Sequence, residues 1–244
     1  MAPTLLLIDA LNVIRRIHAA IPSKPGARDT FVQDDEQVDG ALSSTIVSVQ
    51  RAIQECNPTH ALVIFDGDPP TWRHKLLPAY KANRKPMPKA LHKRLTDFNK
   101  AFRQLGLITF RRNGIEADDV IGTITNKAII ANINTIILST DKAYRQLLYS
   151  SLVTQRDHFQ KMNYNQQSTI KEFDIGPEQL LDYWGMAGIG DIPGVDGVGK
   201  KGATELIKHF GSLRQVLNEG GKEIEPKGAL KKVLNQKEKA EIAV

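Results

Sequence analysis

Three apolar runs, each leading to an aspartate, constrain this chain more than any other feature. They are Leu5-Leu6-Leu7-Ile8-Asp9, Leu62-Val63-Ile64-Phe65-Asp66 and Ile136-Ile137-Leu138-Ser139-Thr140-Asp141. Apolar runs of this length without alternation read as strands buried on both faces, the condition of a parallel sheet covered by helices. An acid at the C-terminal end of such a strand stands where open parallel sheets place their sites. A fourth stretch, Glu116-Ala117-Asp118-Asp119, puts three carboxylates within four residues and runs straight into an apolar, helix-like segment. Like charges this close raise one another's pKa unless something positive sits between them. The competing reading is a plain helix start, where acids in the first turn complement the macrodipole for about 0.3–1 kcal/mol each.

Strand and helix patterns alternate through residue 157, which predicts an α/β fold: a mainly parallel central sheet flanked by helices. Strands are expected at 4–9, 60–66, 107–110, 135–139 and 151–156, and helices at about 39–55, 89–105, 116–130 and 141–148. Residues 22–38, with Pro22, Pro25, Gly26 and the run Asp34-Asp35-Glu36, read as a loop and solvated helix approach. In an ideal helix Glu116 and Asp119 share a face and Asp118 does not. After Pro177 the chain turns to helices and glycine. The division expected is therefore 1–176 for the acidic core and 177–244 for a helical region with a lysine-rich tail.

Charge suggests the partner. Lys and Arg number 33 against 27 Asp and Glu, a net charge of +6, which favours an anionic ligand. The excess is concentrated: Thr71 to Arg94 carries Arg73, Lys75, Lys81, Arg84, Lys85, Lys89, Lys93 and Arg94 and no acid, with Trp72 and Tyr80 interleaved. Basic residues among aromatic platforms suit a nucleic-acid backbone and its exposed bases. The only cysteine, Cys56, excludes an internal disulfide and a cysteine-based zinc site. The N-terminal apolar run is too short for a signal sequence, and no stretch reaches the roughly 20 apolar residues of a membrane helix. A cytoplasmic monomer without membrane contact is expected.

Two phosphate motifs are nearly matched between Gly188 and Ala203. Gly197-Val198-Gly199-Lys200-Lys201-Gly202 fits the dinucleotide fingerprint, but no strand precedes it. Gly194 to Lys200 approaches a P-loop, with Lys201 where a magnesium-binding Ser or Thr belongs. A hairpin between two helices accounts for both: its glycines let backbone N–H groups approach phosphates, and Lys200 and Lys201 add charge. Acids at strand ends, with neither His nor Cys beside them, form an all-oxygen site suited to magnesium or manganese. A dehalogenase-type phosphatase also begins with an Asp after its first strand, but needs a second Asp where this chain has Leu11.

The segments Leu7-Ile8-Asp9-Ala10-Leu11-Asn12, Phe65-Asp66-Gly67, Trp72-Arg73-His74, Tyr80-Lys81-Ala82-Asn83-Arg84, Glu116-Ala117-Asp118-Asp119, Ser139-Thr140-Asp141-Lys142, Asp182-Tyr183-Trp184-Gly185 and Pro193-Gly194-Val195 occur in this order. In this the chain resembles the 5′-nuclease superfamily, which includes flap endonucleases and the 5′–3′ exonuclease domain of bacterial family-A DNA polymerases. The resemblance implies a PIN-like nuclease core with a basic arch at about 69–94, and a C-terminal helix-hairpin-helix-type (H3TH) DNA-binding region. It implies divalent-metal cleavage of DNA at 5′ flaps or branched junctions. Carried over by motif, Asp9, Asp66, Glu116, Asp118 and Asp119 belong to a first metal cluster, with Asp118 the first choice for direct contact, and Asp141 to a second. Lys81 and Arg84 are the expected catalytic cations. Arg73, Tyr80, Lys85 and the hairpin residues Gly197, Val198, Gly199, Lys200, Lys201 and Gly202 are expected to touch DNA. The backbone carbonyls of Met186, Ala187, Pro193, Val195 and Val198 would hold a potassium ion.

Two departures shape the expectation. The family's fuller second cluster has an Asp where this chain has Ala143, and the turn before Ile192-Pro193-Gly194 is about two residues shorter, leaving Asp191 as its acid. Of about two Mg2+ or Mn2+ ions, at most one would be held directly by protein, and cleavage would be weak or structure-dependent. The alternatives are a DNA-junction-binding protein with weak or lost catalysis and a PIN-type ribonuclease.

Overall fold

The computed structural model describes residues 3–22, 30–222 and 227–241. Six strands, β1 (Thr4–Asp9), β2 (His60–Ile64), β3 (Ile108–Phe110), β4 (Asn134–Leu138), β5 (Val153–Asp157) and β6 (Met162–Tyr164), form one sheet in the order β3-β2-β1-β4-β5-β6. The helices are α1 (Ala10–Ala20), α2 (Thr30–Cys56), α3 (Trp72–Leu76), α4 (Lys89–Lys93), α5 (Leu95–Gln104), α6 (Ala117–Ile130), α7 (Gln166–Phe173), α8 (Leu180–Ala187), α9 (Lys200–Phe210), α10 (Leu213–Glu219), α11 (Gly228–Asn235) and α12 (Lys237–Glu241). 3₁₀ helices occupy Lys142–Leu147 and Pro177–Gln179.

Two compact units emerge, and they do not follow a single cut in the chain. The first comprises Met1–Thr71, Lys85–Asp141 and Leu152–Asn163; the second comprises Trp72–Arg84, Lys142–Ser151 and Tyr164–Val244.

In the first unit β1 pairs in parallel with β2 on one side and β4 on the other, and the parallel pairing extends to β3 and β5. Leu6, Ile8, Val63, Phe65 and Leu138 face a core filled by Ala10, Val13, Ile14 and Ile17 of α1, Val38 and Val49 of α2, and Phe98 and Phe102 of α5. Alternation along the strands turns Leu7, Ile64 and Ile137 to the opposite face, where they are also buried, and α6 packs over β1, β2 and β4. Burial on both faces explains why these strands read as unbroken apolar runs. The chain winds outward from β1 to β3, then returns to lay β4 on the other flank of β1. The C-terminal edge between β1 and β4 is thus the switch point at which open α/β sheets form a crevice.

The second unit is helical. Leu180, Tyr183, Trp184 and Met186 from α8, Val195 and Val198 from the following turn, Ala203, Leu206 and Ile207 from α9, and Leu213, Val216, Leu230 and Val233 close one apolar core.

Several elements depart from expectation. The loop expected at 22–38 is replaced from Thr30 by the start of α2, so Asp34, Asp35 and Glu36 lie exposed on a helix rather than before one; residues 23–29 lie outside the described residues. The helix expected at 89–105 is two helices, because the turn opens at Arg94 (φ −103°, ψ 10°). The Arg94 guanidinium is held by Asp39 of α2 at 2.6 Å and by Asp97 at 2.9 Å. The short elements β6 and α7 lack a long apolar period and went unread. Among the described residues no helix is long and apolar enough to cross a membrane.

Candidate active site

The strand ends of the first unit converge because three neighbouring parallel strands finish at one edge. Asp9 is the last residue of β1, Asp66 follows β2 by two positions, and Ser139 to Asp141 follow β4. Asp9 is buried, and its two oxygens are separately engaged. Oδ1 accepts the Asn12 N–H at 3.1 Å, capping α1, and Oδ2 accepts the Ser139 hydroxyl at 3.1 Å. The Ser139 hydroxyl in turn accepts the Asp141 N–H at 3.2 Å. Gln155, buried on β5, fixes this corner by donating to the carbonyls of Ser139 at 2.8 Å and Asp141 at 2.7 Å. Asn12 Oδ1 accepts both the N–H and the hydroxyl of Thr140 at 3.0 Å, and Arg16 donates to that hydroxyl at 2.9 Å.

The segment after β2 is stitched to the segment before α6. Phe65 N–H donates to Phe110 O, Gly67 N–H to Ile115 O and Gly114 N–H to Asp68 O, each at 2.9 Å. Arg111 donates to Asp66 O at 3.1 Å and to the Asp68 carboxylate at 2.6 Å. Gly67 is required by close approach: a Cβ there would stand 1.9 Å from Arg112 O. The result is that Asp66 Oδ1 accepts the Ala117 N–H, the first of α6, at 2.8 Å.

Glu116 is the N-cap of α6 with extended backbone (φ −87°, ψ 153°), and its buried carboxylate accepts the Thr71 hydroxyl at 3.3 Å. It therefore stands at the cap, ahead of the helical residues among which it was expected, and Asp119 is the third residue of the helix it precedes. Asp118 and Asp119 occupy the first turn, and Asp118 is the neighbour whose charge acts most strongly on Asp9, ahead of Asp66. Burial first, then these two carboxylates, push the Asp9 carboxyl up to about 8, against the bonds from Asn12 and Ser139. Among the described residues no three such side chains already form a closed metal cage. Carboxylates brought this near one another disfavour their shared ionisation unless positive charge lies between them. The donor set is oxygen throughout, which fits a hard divalent cation.

The other expected residues, apart from Lys85, lie in the second unit. Lys81 holds a left-handed backbone, φ +58°, with its ammonium 5.0 Å from the Tyr80 ring centroid. Tyr80 is buried and packs edge-on against His74 at 5.4 Å. The ring therefore packs within its own loop, and what it offers to the expected contact with DNA is little more than its edge. Arg84 lies 3.7 Å from Asp191, so the acid left in the shortened turn is paired with an arginine. Lys85 belongs to the first unit, its carbonyl accepting from Arg15 at 3.5 Å.

The glycine hairpin joins α8 to α9, and no strand leads into it, only the isolated bridge Ile189–Ile192. Met186 O accepts the Val195 N–H at 2.8 Å, and Val195 O accepts the Val198 N–H at 3.0 Å. Gly197 (φ +73°) offers its carbonyl to Lys232 at 2.8 Å, and Asp196 is paired with Lys239 at 2.6 Å. Gly199 caps α9 without a side chain, and Lys200 and Lys201 are exposed in its first turn.

Comparison with known proteins decides the family. Residues 4–174 match the model of the 5′-3′ exonuclease N-terminal, resolvase-like domain. The chain belongs to the 5′-3′ exonuclease family. Residues 175–244 match the companion C-terminal SAM fold of these exonucleases. Flap endonuclease Xni of Aliivibrio fischeri (strain MJ11) is 41% identical over 217 residues, covering 87% of this chain and 78% of the relative. The Xni of Vibrio cholerae is 38% identical over 219 residues, covering 88% and 80%. Among solved structures, bacteriophage T5 5′-exonuclease with bound zinc superposes with TM-score 0.79 at 21% identity, covering 98% of this chain and 87% of that one. The catalytic core of Rad2 in complex with DNA substrate does so with TM-score 0.59 at 14% identity, covering 98% and 74%. Those two likenesses establish that this 5′-3′ exonuclease family member shares their fold.

The residues that sequence reading missed are the supports rather than the acids. Ser139, Gln155 and Thr71 each hold a carboxylate or its backbone, and a lone polar residue carries no periodic or spacing signal that marks it as a support.

Proposed function

We propose that this protein is a divalent-metal-dependent 5′ nuclease that hydrolyses phosphodiester bonds of DNA at 5′ flaps or related branched junctions. The observation that carries the reading is Asp9 at the switch point of a parallel sheet, its proton affinity raised first by burial and then by Asp118 and Asp66. Such a group binds either a proton or a cation, and the divalent ion bound to T5 5′-exonuclease, which shares this fold, supports the cation. Asp9, Asp66, Glu116, Asp118 and Asp119 would hold Mg2+ or Mn2+, which when bound would polarise the phosphoryl group and favour deprotonation of the attacking water. The chain's own part is orientation. Asn12 and Ser139 fix the two Asp9 oxygens, the Ala117 N–H fixes Asp66, and Thr71 fixes Glu116.

Lys81 and Arg84 supply positive charge to DNA phosphate, and the open N-terminus of α9 with Gly197, Val198, Gly199, Lys200, Lys201 and Gly202 grips the backbone of the duplex. The carbonyls of Met186, Ala187, Pro193, Val195 and Val198 would receive K+. Met186 and Val195 already accept one hydrogen bond each, and each carbonyl retains a second lone pair. Asp141 is the single acid of a depleted second cluster, since Ala143 carries no ligand and Asp191 is paired with Arg84. That pairing favours a second reading, a junction-binding protein with weak catalysis. The ribonuclease alternative loses its basis with the match of the C-terminal exonuclease fold.

Labelled 5′-flap DNA, single-stranded DNA and single-stranded RNA, each incubated with and without Mg2+, test the reading. Mg2+-dependent cleavage of the flap substrate above the others supports it. Tight flap binding without cleavage supports the junction-binding reading, and preferred cleavage of RNA overturns both.

A further inference from the structure

The basic stretch from Thr71 to Arg94 contains two aromatic residues, and the structure gives them opposite fates. Tyr80 is 8% exposed, whereas Trp72 is 50% exposed at the head of α3. Leaving half an indole in water forfeits burial that most tryptophans obtain. The Arg73 guanidinium lies over the Trp72 ring, 4.5 Å from its centroid. One turn on, Leu76 is 68% exposed, and residues four apart in a helix are surface neighbours. The short helix thus presents an aromatic and aliphatic surface, capped by a cation, within a segment that holds eight basic residues and no acid. Its counterpart in chemistry is a flat, weakly polar ring carried on a polyanion.

We propose that Trp72, with Arg73 over its ring, is a stacking platform for an unpaired nucleobase of the bound DNA. The proposal rests on the DNA-nuclease reading above and adds to it the residue that receives a base rather than a phosphate. Stacking on an aromatic face is sequence-tolerant, because every base offers a π-face, so Trp72 confers preference for unpaired over paired nucleotides without reading sequence. The apolar exposure of Trp72 and Leu76 alone would suit a protein partner equally; the Arg73 guanidinium over the ring and the absence of any acid in the sequence from Thr71 to Arg94 select the nucleic acid.

The protein supplies its own probe. It has two tryptophans, and the other, Trp184, is 4% exposed in the helical core. Titration of a short single-stranded oligonucleotide in EDTA, so that no cleavage occurs, should quench tryptophan fluorescence. Trp72→Phe should abolish the quenching, and Trp72→Ala should weaken binding about five- to a hundredfold. Replacing single nucleotides by abasic ones should weaken binding to the unaltered protein at one position and leave binding to Trp72→Ala unchanged at that same position. Labelled-DNA anisotropy, read in parallel, separates the two levels of failure. If the oligonucleotide and flap DNA do not bind at all, the nuclease reading falls and this proposal with it. If they bind while quenching persists in Trp72→Phe, or affinity is unchanged in Trp72→Ala, the platform alone is overturned.

Discussion

The carboxylate of Asp66 accepts the backbone N–H of Ala117 at 2.8 Å, across 51 residues of chain. An acid from the end of one strand thereby caps the helix that carries Asp118 and Asp119. The bond satisfies one of the donors a helix N-terminus leaves open, which Glu116 does not do with its own side chain.

Charge and cap are separable at this position. Asp66→Asn keeps an oxygen for the Ala117 N–H and removes the charge, so thermal stability should hold while metal-dependent cleavage falls. Asp66→Ala should lose about 1 kcal/mol of stability as well. Thermal denaturation of the two variants beside a flap-cleavage assay checks the contrast.

The raised Asp9 pKa sets a pH dependence. In the folded chain Asp9 keeps its proton up to about 8, against 3.8 unperturbed. Between those values the folded state holds more protons than the unfolded one, so this group's contribution to stability falls as pH rises. Proton and cation compete for the same oxygens, so Mg2+ should raise the melting temperature more at pH 8 than at pH 6. Asp118→Asn removes the strongest charge acting on Asp9 and should stabilise the metal-free protein at pH 8 while weakening the Mg2+ effect. Melting temperatures with and without Mg2+ across pH 6–8 measure both.

The hairpin has no room for a side chain at Gly194. A Cβ would stand 2.3 Å from Gly188 N and 2.5 Å from Met186 O, both backbone atoms. Gly194→Ala should destabilise the helical unit by about 1–3 kcal/mol and weaken duplex binding. Mg2+ binding to the acidic unit should be unchanged, as titration calorimetry would show.

Lys81 pays for its left-handed backbone with about 1 kcal/mol of strain. Lys81→Gly should therefore melt no lower than Lys81→Ala, although glycine ordinarily costs stability. Both should lose cleavage more than DNA binding. Parallel melting and single-turnover cleavage of the two variants distinguish a strained catalytic lysine from a merely basic one.

Much of this was legible from residue order. Unbroken apolar runs ending at Asp9 and Asp66 gave the parallel sheet, and strand ends gave the acids. The N-cap position of Glu116 was not legible, because it depends on where Asp66 places its carboxylate. Nor was the burial of Tyr80, since the proline-rich stretch around it has no period from which to read a buried face. The start of α2 was obscured by a polar, acid-rich first part that a loop would share. Arg84 and Asp191 are 107 positions apart in sequence, and only the folded second unit shows that they meet.

The most direct measurement is cleavage of end-labelled 5′-flap DNA in Mg2+ by the unaltered protein and by Asp118→Ala, with DNA affinity determined for both. The account predicts Mg2+-dependent cleavage that Asp118→Ala reduces by about a hundredfold or more, with flap affinity preserved. Undiminished cleavage by Asp118→Ala, or cleavage by the unaltered protein that persists in EDTA, would contradict it.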